Sequence, residues 1–144
     1  MQKIGAITET EAGLISPVVL AFLGDAVYSL WVRERLVRSG TGSAADFQRA
    51  ASKVESARGQ SAYLEKILPL FTEREEEIYR RGRNAKKGTK SKNAGAVEYN
   101  RSTGFEAVLG YLHLTGNRER IEQLLSVIDE ADLKGQAAAT YFKP

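Results

Sequence analysis

The chain has 144 residues, a net charge of +3 and no cysteine. This length predicts a single domain over residues 1–144 and leaves no room for two domains of ordinary size. The lack of cysteine excludes disulfide bonds and thiolate metal sites, so a bound metal ion would be held mainly by oxygen. The first residues show none of the features of a signal peptide, and we expect a cytoplasmic protein.

The first strongly apolar segment, Ile15 to Val32, predicts a long helix. Ser16 followed by Pro17 is typical of a helix start, and no further stop signal occurs before residues 39 and 40. Apolar residues cover every side of this helix rather than one stripe, which predicts a helix that is buried all round.

Asp25 lies near the middle of this apolar helix. Because burying an unpaired charge costs several kcal/mol, we expect Asp25 to be protonated, to bind a metal ion, or to pair with a buried arginine such as Arg33 or Arg35. The segment approaches the length of a membrane span, but a central aspartate adds about 3 kcal/mol to the cost of insertion. We therefore expect a buried helix and no membrane partner.

Two helical patterns follow, one capped by Ser43 or Asp46 and one that runs from Ala57 and stops at Pro69. A capping box at residues 72–75 then opens a polar helix that leads into a basic segment.

Positive charge is concentrated between residues 80 and 92, which hold seven cations and no acid. Residues 82–95 have no apolar periodicity, so we predict a loop, and such a charged segment is typical of a surface that meets a polyanion. The absence of aromatic residues among the cations favours contacts to the backbone of a duplex. A solvated loop without a partner is the alternative. The candidate RNA-binding residues are Arg80, Arg81, Arg83, Asn84, Lys86, Lys87, Lys90, Lys92 and Asn93.

A second strongly apolar helix begins at Ala96 or Ser102, ends at residues 115–116, and carries Glu106 near its centre. Asn117 caps a last helix. With about six helices and no strand alternation, the fold class is predicted to be all-α. Residues 133–144 are expected to form a flexible tail.

Each long apolar helix thus contains one central acid, Asp25 in the first and Glu106 in the second. Gly24 precedes Asp25, while Gly104 and Gly110 flank Glu106, so both helices have places where their backbones can approach closely. Two carboxylates brought together in this way suit Mg²⁺, which prefers hard oxygen ligands and keeps several waters. The chemistry indicated is metal-assisted cleavage of a phosphodiester.

Other interpretations of these residues remain open. Glu106 is also placed to complete a capping box with Thr103 at a helix start. His113 is the one histidine, and on an apolar turn it is more often a packed or surface residue than a catalyst. No complete phosphate-binding loop of the GxxxxGK[ST] type is present.

Residues 20–28, LAFLGDAVY, resemble the signature of the ribonuclease III endonuclease domain, and residues 105–112, FEAVLGYL, resemble its second acidic motif. Residues 81–93 and 99–114 resemble more narrowly the Mini-III ribonucleases, a bacterial branch that consists of the catalytic domain alone. The likeness runs in matching order over residues 16–130.

This resemblance implies an all-α ribonuclease III fold, a homodimer, and Mg²⁺-dependent cleavage of double-stranded RNA to 5′-phosphate and 3′-hydroxyl ends. For the Mini-III branch it implies maturation of both ends of the 23S ribosomal RNA precursor, with a ribosomal protein as a candidate activator. Asp25 and Glu106 match the catalytic, metal-linked acids of the family. We expect the surplus apolar surface of the first helix, at Phe22, Tyr28 and Trp31, to serve the dimer interface or the core.

The family has further acids at the positions of Val18, Ala21 and Thr103. Their absence predicts a reduced metal site, which the Mini-III branch resembles, and it also supports an alternative function. In that alternative, the protein is a non-catalytic factor that binds structured RNA or assists ribosome assembly.

Overall fold

The computed structural model describes residues 5–85 and 94–128. These residues form seven α-helices and no strand, which confirms the all-α prediction and adds one helix to the expected number. The helices are α1 Glu9–Gly13, α2 Pro17–Ser39, α3 Ala44–Glu55, α4 Ala57–Ile67, α5 Glu73–Arg83, α6 Ala94–Leu114 and α7 Arg118–Leu125, with a 3₁₀ turn at Leu68–Leu70 between α4 and α5.

Local sequence signals account for most helix starts. Pro17 occupies the first turn of α2, as predicted. The hydroxyl of Ser43 accepts a hydrogen bond from the amide of Asp46, and that of Thr72 accepts one from Glu75, each at 3.2 Å. Both helices therefore begin at capping boxes.

The predicted flexible tail at 133–144 lies outside the described residues.

The helices differ from the prediction in two respects. The short helix α1 was not expected, because five residues are too few to show an apolar period; a capping box between Thr8 and Glu11 starts it. Helix α5 continues to Arg83 and α6 already begins at Ala94, so Gly82 is helical rather than part of a loop. Gly82 lies close to α6, where a Cβ atom at this position would come within 2.8 Å of the Cα atom of Gly104.

The fully surrounded helix is α6, not α2 as the sequence predicted. Residues 102–112 of α6 are all buried except Glu106, which is half-buried. Helix α2 instead buries one stripe, including Leu20, Tyr28 and Val32, and leaves large apolar side chains on its opposite side in solvent. Phe22 is 83% exposed and Leu30 is 68% exposed. The apolar residues of α2 thus form two surfaces. One packs in the core of the described chain, and the other is exposed to solvent.

Glycines let α6 lie directly against its two main neighbours. A Cβ atom added to Gly24 of α2 would overlap the carbonyl oxygen of Glu106, and one added to Gly110 of α6 would overlap that of Leu20. On the α5 side, a Cβ atom on Gly104 would lie 2.6 Å from the carbonyl oxygen of Tyr79. The close backbone approach predicted from Gly24, Gly104 and Gly110 is confirmed.

Helix α7 is joined to α5 by an ion pair. Arg120 donates to both carboxylate oxygens of the buried Glu75, at 2.9 and 2.8 Å, and to the carbonyl oxygen of Leu70 at 2.6 Å.

None of the helices in the described residues is long and apolar enough to cross a bilayer.

Candidate active site

The crossing of α2 and α6 brings Asp25 and Glu106 together. Asp25 follows Gly24, whose backbone touches that of Glu106, and the two carboxyl groups lie within hydrogen-bonding reach of each other. Asp25 is exposed and Glu106 is half-buried, so the pair opens to solvent at the surface. The expectation that Asp25 is buried was wrong, because it was drawn from the apolar character of the whole helix.

Both arginine partners proposed for Asp25 bind other acids. Arg33 pairs with Glu55 at 3.9 Å, and Arg35 pairs with Glu122. No ion pair joins Asp25 or Glu106 to a basic side chain within residues 5–85 and 94–128. The capping-box interpretation of Glu106 is also wrong, since α6 begins well before this residue and the hydroxyl of Thr103 donates to the carbonyl oxygen of Tyr99.

The electrostatics of Glu106 reflect this lack of a counter-charge. Burial raises the pKa of the Glu106 carboxyl to about 8, and the hydrogen bond and the negative charge of Asp25 add to the rise. Hydrogen bonds from Ser102 and Gln60 act in the opposite direction and lower the pKa. Without a bound cation, Glu106 is therefore largely protonated at neutral pH.

Two buried polar residues next to Glu106, Ser102 and Gln60, were not among the predicted site residues. The hydroxyl of Ser102 lies 2.9 Å from the amide oxygen of Gln60 and 3.1 Å from Oε1 of Glu106. Ser102 could have been found from its position one turn before Glu106. Gln60 could have been noticed only as a polar residue in the apolar stripe of α4, which continues with Tyr63 and Leu64.

Tyr28 is buried in the core, close enough to Glu106 to sense its charge. Its ring meets that of Phe105 edge-on, with centroids 5.9 Å apart, and its hydroxyl donates to the carbonyl oxygen of Val54 at 3.2 Å. Burial raises the pKa of this phenol, as do Tyr63 and the acids Glu55 and Glu106 nearby. Tyr28 is therefore a neutral core residue and not a proton donor of the site.

The three positions at which the resemblance implies further acids differ in their exposure. Ala21 and Thr103 are buried, and Val18 is partly exposed. Within the described chain no cluster of three or more acidic or histidine side chains is placed to hold a metal ion. His113 is exposed on α6 and belongs to no such cluster. Among the described residues, the candidate site therefore consists of two carboxylates.

The basic residues that the structure describes have different surroundings. Arg80 is exposed on α5. Arg81 is half-buried and donates to the carbonyl oxygen of Gly13 at 3.1 Å, which joins α5 to the end of α1. Arg83 lies over the ring of Tyr79 and donates to the side chain of Asn84 at 3.3 Å. The other predicted RNA contacts, Lys86, Lys87, Lys90, Lys92 and Asn93, lie outside the described residues.

Of the three aromatic residues expected at a dimer interface or in the core, only Phe22 is free for an interface. Tyr28 is fully buried, and Trp31 is half-buried and donates to Glu122 at 3.0 Å. Phe22 lies on the same exposed apolar surface as Val18 and Val19.

Comparison with known proteins identifies this arrangement. The family model for the ribonuclease III domain matches residues 18–117, a span that contains both acids and the helix crossing. The chain belongs to the ribonuclease III family. Mini-ribonuclease 3 of Streptococcus pneumoniae is 48% identical over 118 residues, which cover 81% of this chain and 92% of that relative. Mini-ribonuclease 3 of Symbiobacterium thermophilum is 43% identical over 122 residues, 85% of this chain and 94% of the relative.

A solved structure agrees with this assignment. The crystal structure of a protein from Fusobacterium nucleatum matches with a TM-score of 0.71 at 26% identity, over 83% of this chain and 95% of that one. The predicted resemblance to the Mini-III branch is confirmed, and the enzyme is an endoribonuclease.

Ribonuclease III enzymes are as a family metal-dependent, and the residues present fit a metal ion. Asp25 and Glu106 offer adjacent hard oxygen ligands, and neither forms an ion pair with a basic side chain in the described residues. A divalent cation would supply that positive charge and would favour the ionised form of Glu106.

Proposed function

We propose that this enzyme is a Mg²⁺-dependent endoribonuclease that cleaves double-stranded RNA, with Asp25 and Glu106 as its catalytic and metal-binding residues. One observation carries the proposal: two carboxyl groups from different helices meet at a glycine-lined crossing that is open to solvent, and neither forms an ion pair with a basic side chain among residues 5–85 and 94–128. Paired carboxylates with so few protein ligands leave coordination positions for water and for phosphate oxygens.

The roles of the two acids follow from their surroundings. When bound, Mg²⁺ stabilises charge on the scissile phosphate and makes a coordinated water a better nucleophile. Asp25 is exposed and ready to bind a cation directly, whereas Glu106 must first lose the proton that its burial and its neighbour favour. We therefore expect cation binding to release a proton, and cleavage to rise with pH as Glu106 ionises.

The basic segment is proposed to hold the RNA. Arg80, Arg83 and Asn84 stand at the end of α5. Lys86, Lys87, Lys90, Lys92 and Asn93 follow them in the sequence, before the start of the helix that carries Glu106. Arginine, lysine and asparagine side chains all contact phosphate oxygens. Arg81 contributes through its remaining N–H groups, since one of them already binds Gly13.

We also propose a homodimer through the exposed apolar surface at the start of α2, formed by Val18, Val19 and Phe22. Side chains of this size are seldom left exposed together in a monomer. A twofold axis at this surface would relate two copies of the Asp25 site, one for each strand of a duplex.

The physiological substrate that we propose is the 23S ribosomal RNA precursor, cut at both ends to leave 5′-phosphate and 3′-hydroxyl groups, which places the enzyme in the cytoplasm. Identity of more than 40% to two proteins named Mini-ribonuclease 3, over nearly their whole lengths, supports this choice. A ribosomal protein as activator stays a prediction.

A second function is favoured by one observation. Val18, Ala21 and Thr103 stand where the resemblance to the wider family implies acids, so we expect the site to hold fewer metal ligands than the family pattern. In this alternative the chain binds structured RNA or assists ribosome assembly without cutting.

The test is cleavage of a structured 23S precursor by the purified full chain with and without Mg²⁺, with analysis of the new ends. Asp25→Asn and Glu106→Gln are expected to lower the rate at least about 100-fold while RNA binding persists. Glu119→Gln, which removes an exposed acid of α7, is the matched control and keeps wild-type activity. Cleavage that survives in both site variants would refute the site, and binding without cleavage by the wild type would establish the second function.

A further inference from the structure

Two buried polar side chains form a network behind Glu106. Gln60 of α4 is 2% exposed and Ser102 of α6 is 5% exposed, in a core that is otherwise almost wholly apolar. Burial of an amide and a hydroxyl is unfavourable unless their hydrogen bonds are satisfied within the protein. Here they are satisfied by each other and by Glu106.

The orientation of the Gln60 amide follows from a fixed point on the backbone. The amide nitrogen of Gln60 donates to the carbonyl oxygen of Glu55 at 3.0 Å, which turns the amide oxygen toward Ser102. The Ser102 hydroxyl lies 2.9 Å from that oxygen and 3.1 Å from Oε1 of Glu106. A hydroxyl has one proton and two lone pairs, so it donates to one of these oxygens at a time.

This network is bonded to one oxygen of the Glu106 carboxyl group. Oε1 lies 3.1 Å from the Ser102 hydroxyl, and the Gln60 amide is near enough to the same carboxyl group to lower its pKa. The carboxyl group meets Asp25 as well, at the solvent-exposed opening of the crossing. Glu106 is thus held between a fixed polar support from α4 and α6 and the second acid of the site.

We propose that Gln60 and Ser102 are positioning residues that orient the Glu106 carboxyl toward the cation held with Asp25. This inference rests on the proposed metal site. A glutamate side chain has three rotatable bonds, and an unsupported Glu106 would lose this freedom each time a cation bound. Because this site has only two acids, no further carboxylate of the described chain compensates for a misplaced Glu106.

Hydrogen-bonded partners of metal ligands contribute measurably to metal affinity, and their removal costs about 10- to 100-fold. Ser102→Ala removes the hydroxyl with almost no change in volume and places a good helix former in α6. Gln60→Leu keeps the size of the side chain and removes the hydrogen bonds of the amide to Glu55 and Ser102, together with its effect on Glu106. Since the two residues act on one carboxyl group, the double variant is expected to lose less than the product of the two single losses.

The experiment measures the Mg²⁺ concentration for half-maximal cleavage of a structured precursor RNA, and Mn²⁺ binding to the RNA-free full chain by electron paramagnetic resonance. Ser102→Ala and Gln60→Leu are expected to raise both constants about tenfold or more, with cleavage largely restored at saturating Mg²⁺. Thr115→Ala, which removes a hydroxyl bonded to Tyr111 near the end of the same helix, leaves both constants unchanged.

A purely structural role would lower the melting temperature and the rate together, without moving the metal constants, and would overturn the inference. Unchanged constants in Ser102→Ala alone would do the same, and this near-isosteric variant keeps the test valid if Gln60→Leu is poorly folded. Failure of the proposed function gives a different result, namely cleavage that persists in both Asp25→Asn and Glu106→Gln.

Discussion

Gly24 of α2 and Glu106 of α6 are in backbone contact: a Cβ atom at position 24 would overlap the Glu106 carbonyl oxygen and would lie 2.9 Å from the amide nitrogen of Gly110. The atom that must yield belongs to a helix backbone, which cannot rotate away as a side chain can. The close approach of the helices that carry Asp25 and Glu106 therefore depends on the absence of a side chain at position 24.

Replacement of Gly24 by alanine is expected to separate the crossing helices and to inactivate the enzyme with both carboxylates intact. Overpacking of this kind costs about 1–3 kcal/mol in the free energy of unfolding, measured by urea denaturation. Gly5→Ala is the matched control, because a Cβ atom there meets nothing within 4 Å. Wild-type stability and cleavage in Gly24→Ala would show that the helices do not depend on this contact.

The raised pKa of Glu106 predicts a pH-dependent loss of stability in the metal-free protein. The carboxyl has a pKa of about 8 when folded, against an ordinary value of 4.5, so the folded state holds its proton more tightly than the unfolded state. Stability from this group is then complete below the unfolded pKa, falls as pH rises above it, and levels off beyond the folded pKa.

Glu106→Gln removes this titration. As the pH rises from 5 to 9, the free energy of unfolding of the variant is therefore expected to increase relative to that of the wild type, by about 1–3 kcal/mol after allowance for partial exposure. Urea denaturation in the presence of a chelator at both pH values measures the difference. Glu119→Gln should keep the wild-type profile. Parallel pH profiles for the wild type and Glu106→Gln would mean that Glu106 titrates as an ordinary carboxyl.

The ion pair between Glu75 and Arg120 should stabilise the junction of α5 and α7. Burial alone would raise the pKa of Glu75, but hydrogen bonds from Arg120 and Thr72 outweigh it and lower the pKa. This contribution to stability is present above the unfolded pKa of the carboxyl and is lost as pH falls. Arg120→Ala should cost about 3 kcal/mol at pH 7, because it leaves a buried carboxylate unpaired.

Thermal and urea denaturation measure this cost, with Arg118→Ala as the control, since Arg118 is exposed on the same helix. The control should change stability by less than about 0.5 kcal/mol. Equal losses in the two variants would show that the charge of α7, rather than the pairing with Glu75, matters.

The two acids and the glycines beside them could be found from the sequence because each signal is local. A charge inside an apolar helix is visible in the sequence of that helix, and so is a glycine next to it, and together Asp25, Gly24 and Glu106 predict where the two helices cross. The capping boxes at Ser43 and Thr72 were predictable for the same reason.

The burial of α2 and the support of Glu106 were not predictable in this way, because both depend on elements distant in the chain. The apolar pattern of α2 is the same whether its outer side, with Phe22, faces the core or a second molecule. Gln60 reaches Ser102 only because α4 packs against α6, and no pattern within α4 specifies that neighbour. Burial all round was therefore assigned to α2 and belongs to α6.

Phe22 tests the proposed dimer. Phe22→Asp should produce a monomer in light scattering, because the lost burial of Phe22 in two symmetric copies amounts to about 3–6 kcal/mol, or at least about 100-fold in the dissociation constant. Val37→Asp is the matched control, since Val37 is an exposed apolar residue near the other end of α2. A dimer that survives Phe22→Asp but not Val37→Asp would place the interface at the C-terminal end of the helix.

Two adjacent arginines of α5 distinguish an effect on RNA binding from an effect on stability. Arg80 is exposed, whereas Arg81 donates to the backbone of Gly13 and joins α5 to α1. Arg80→Ala should weaken binding of a duplex RNA and lower the slope of log affinity against log salt by about 0.9, the value for one lost phosphate contact on a B-form duplex. Arg81→Ala should lower the melting temperature and change the slope less.

Neutralising Lys86, Lys87, Lys90 and Lys92 together should lower the same slope by up to about four times as much as Arg80→Ala, if each lysine meets one phosphate. The measurement uses the Asp25→Asn background, so that the RNA stays intact while salt is varied. Because released counterions depend on the number of phosphates contacted and not on the chemistry of the site, Asp25→Asn alone keeps the wild-type slope. An unchanged slope in the lysine variant would place the RNA contact elsewhere on the enzyme.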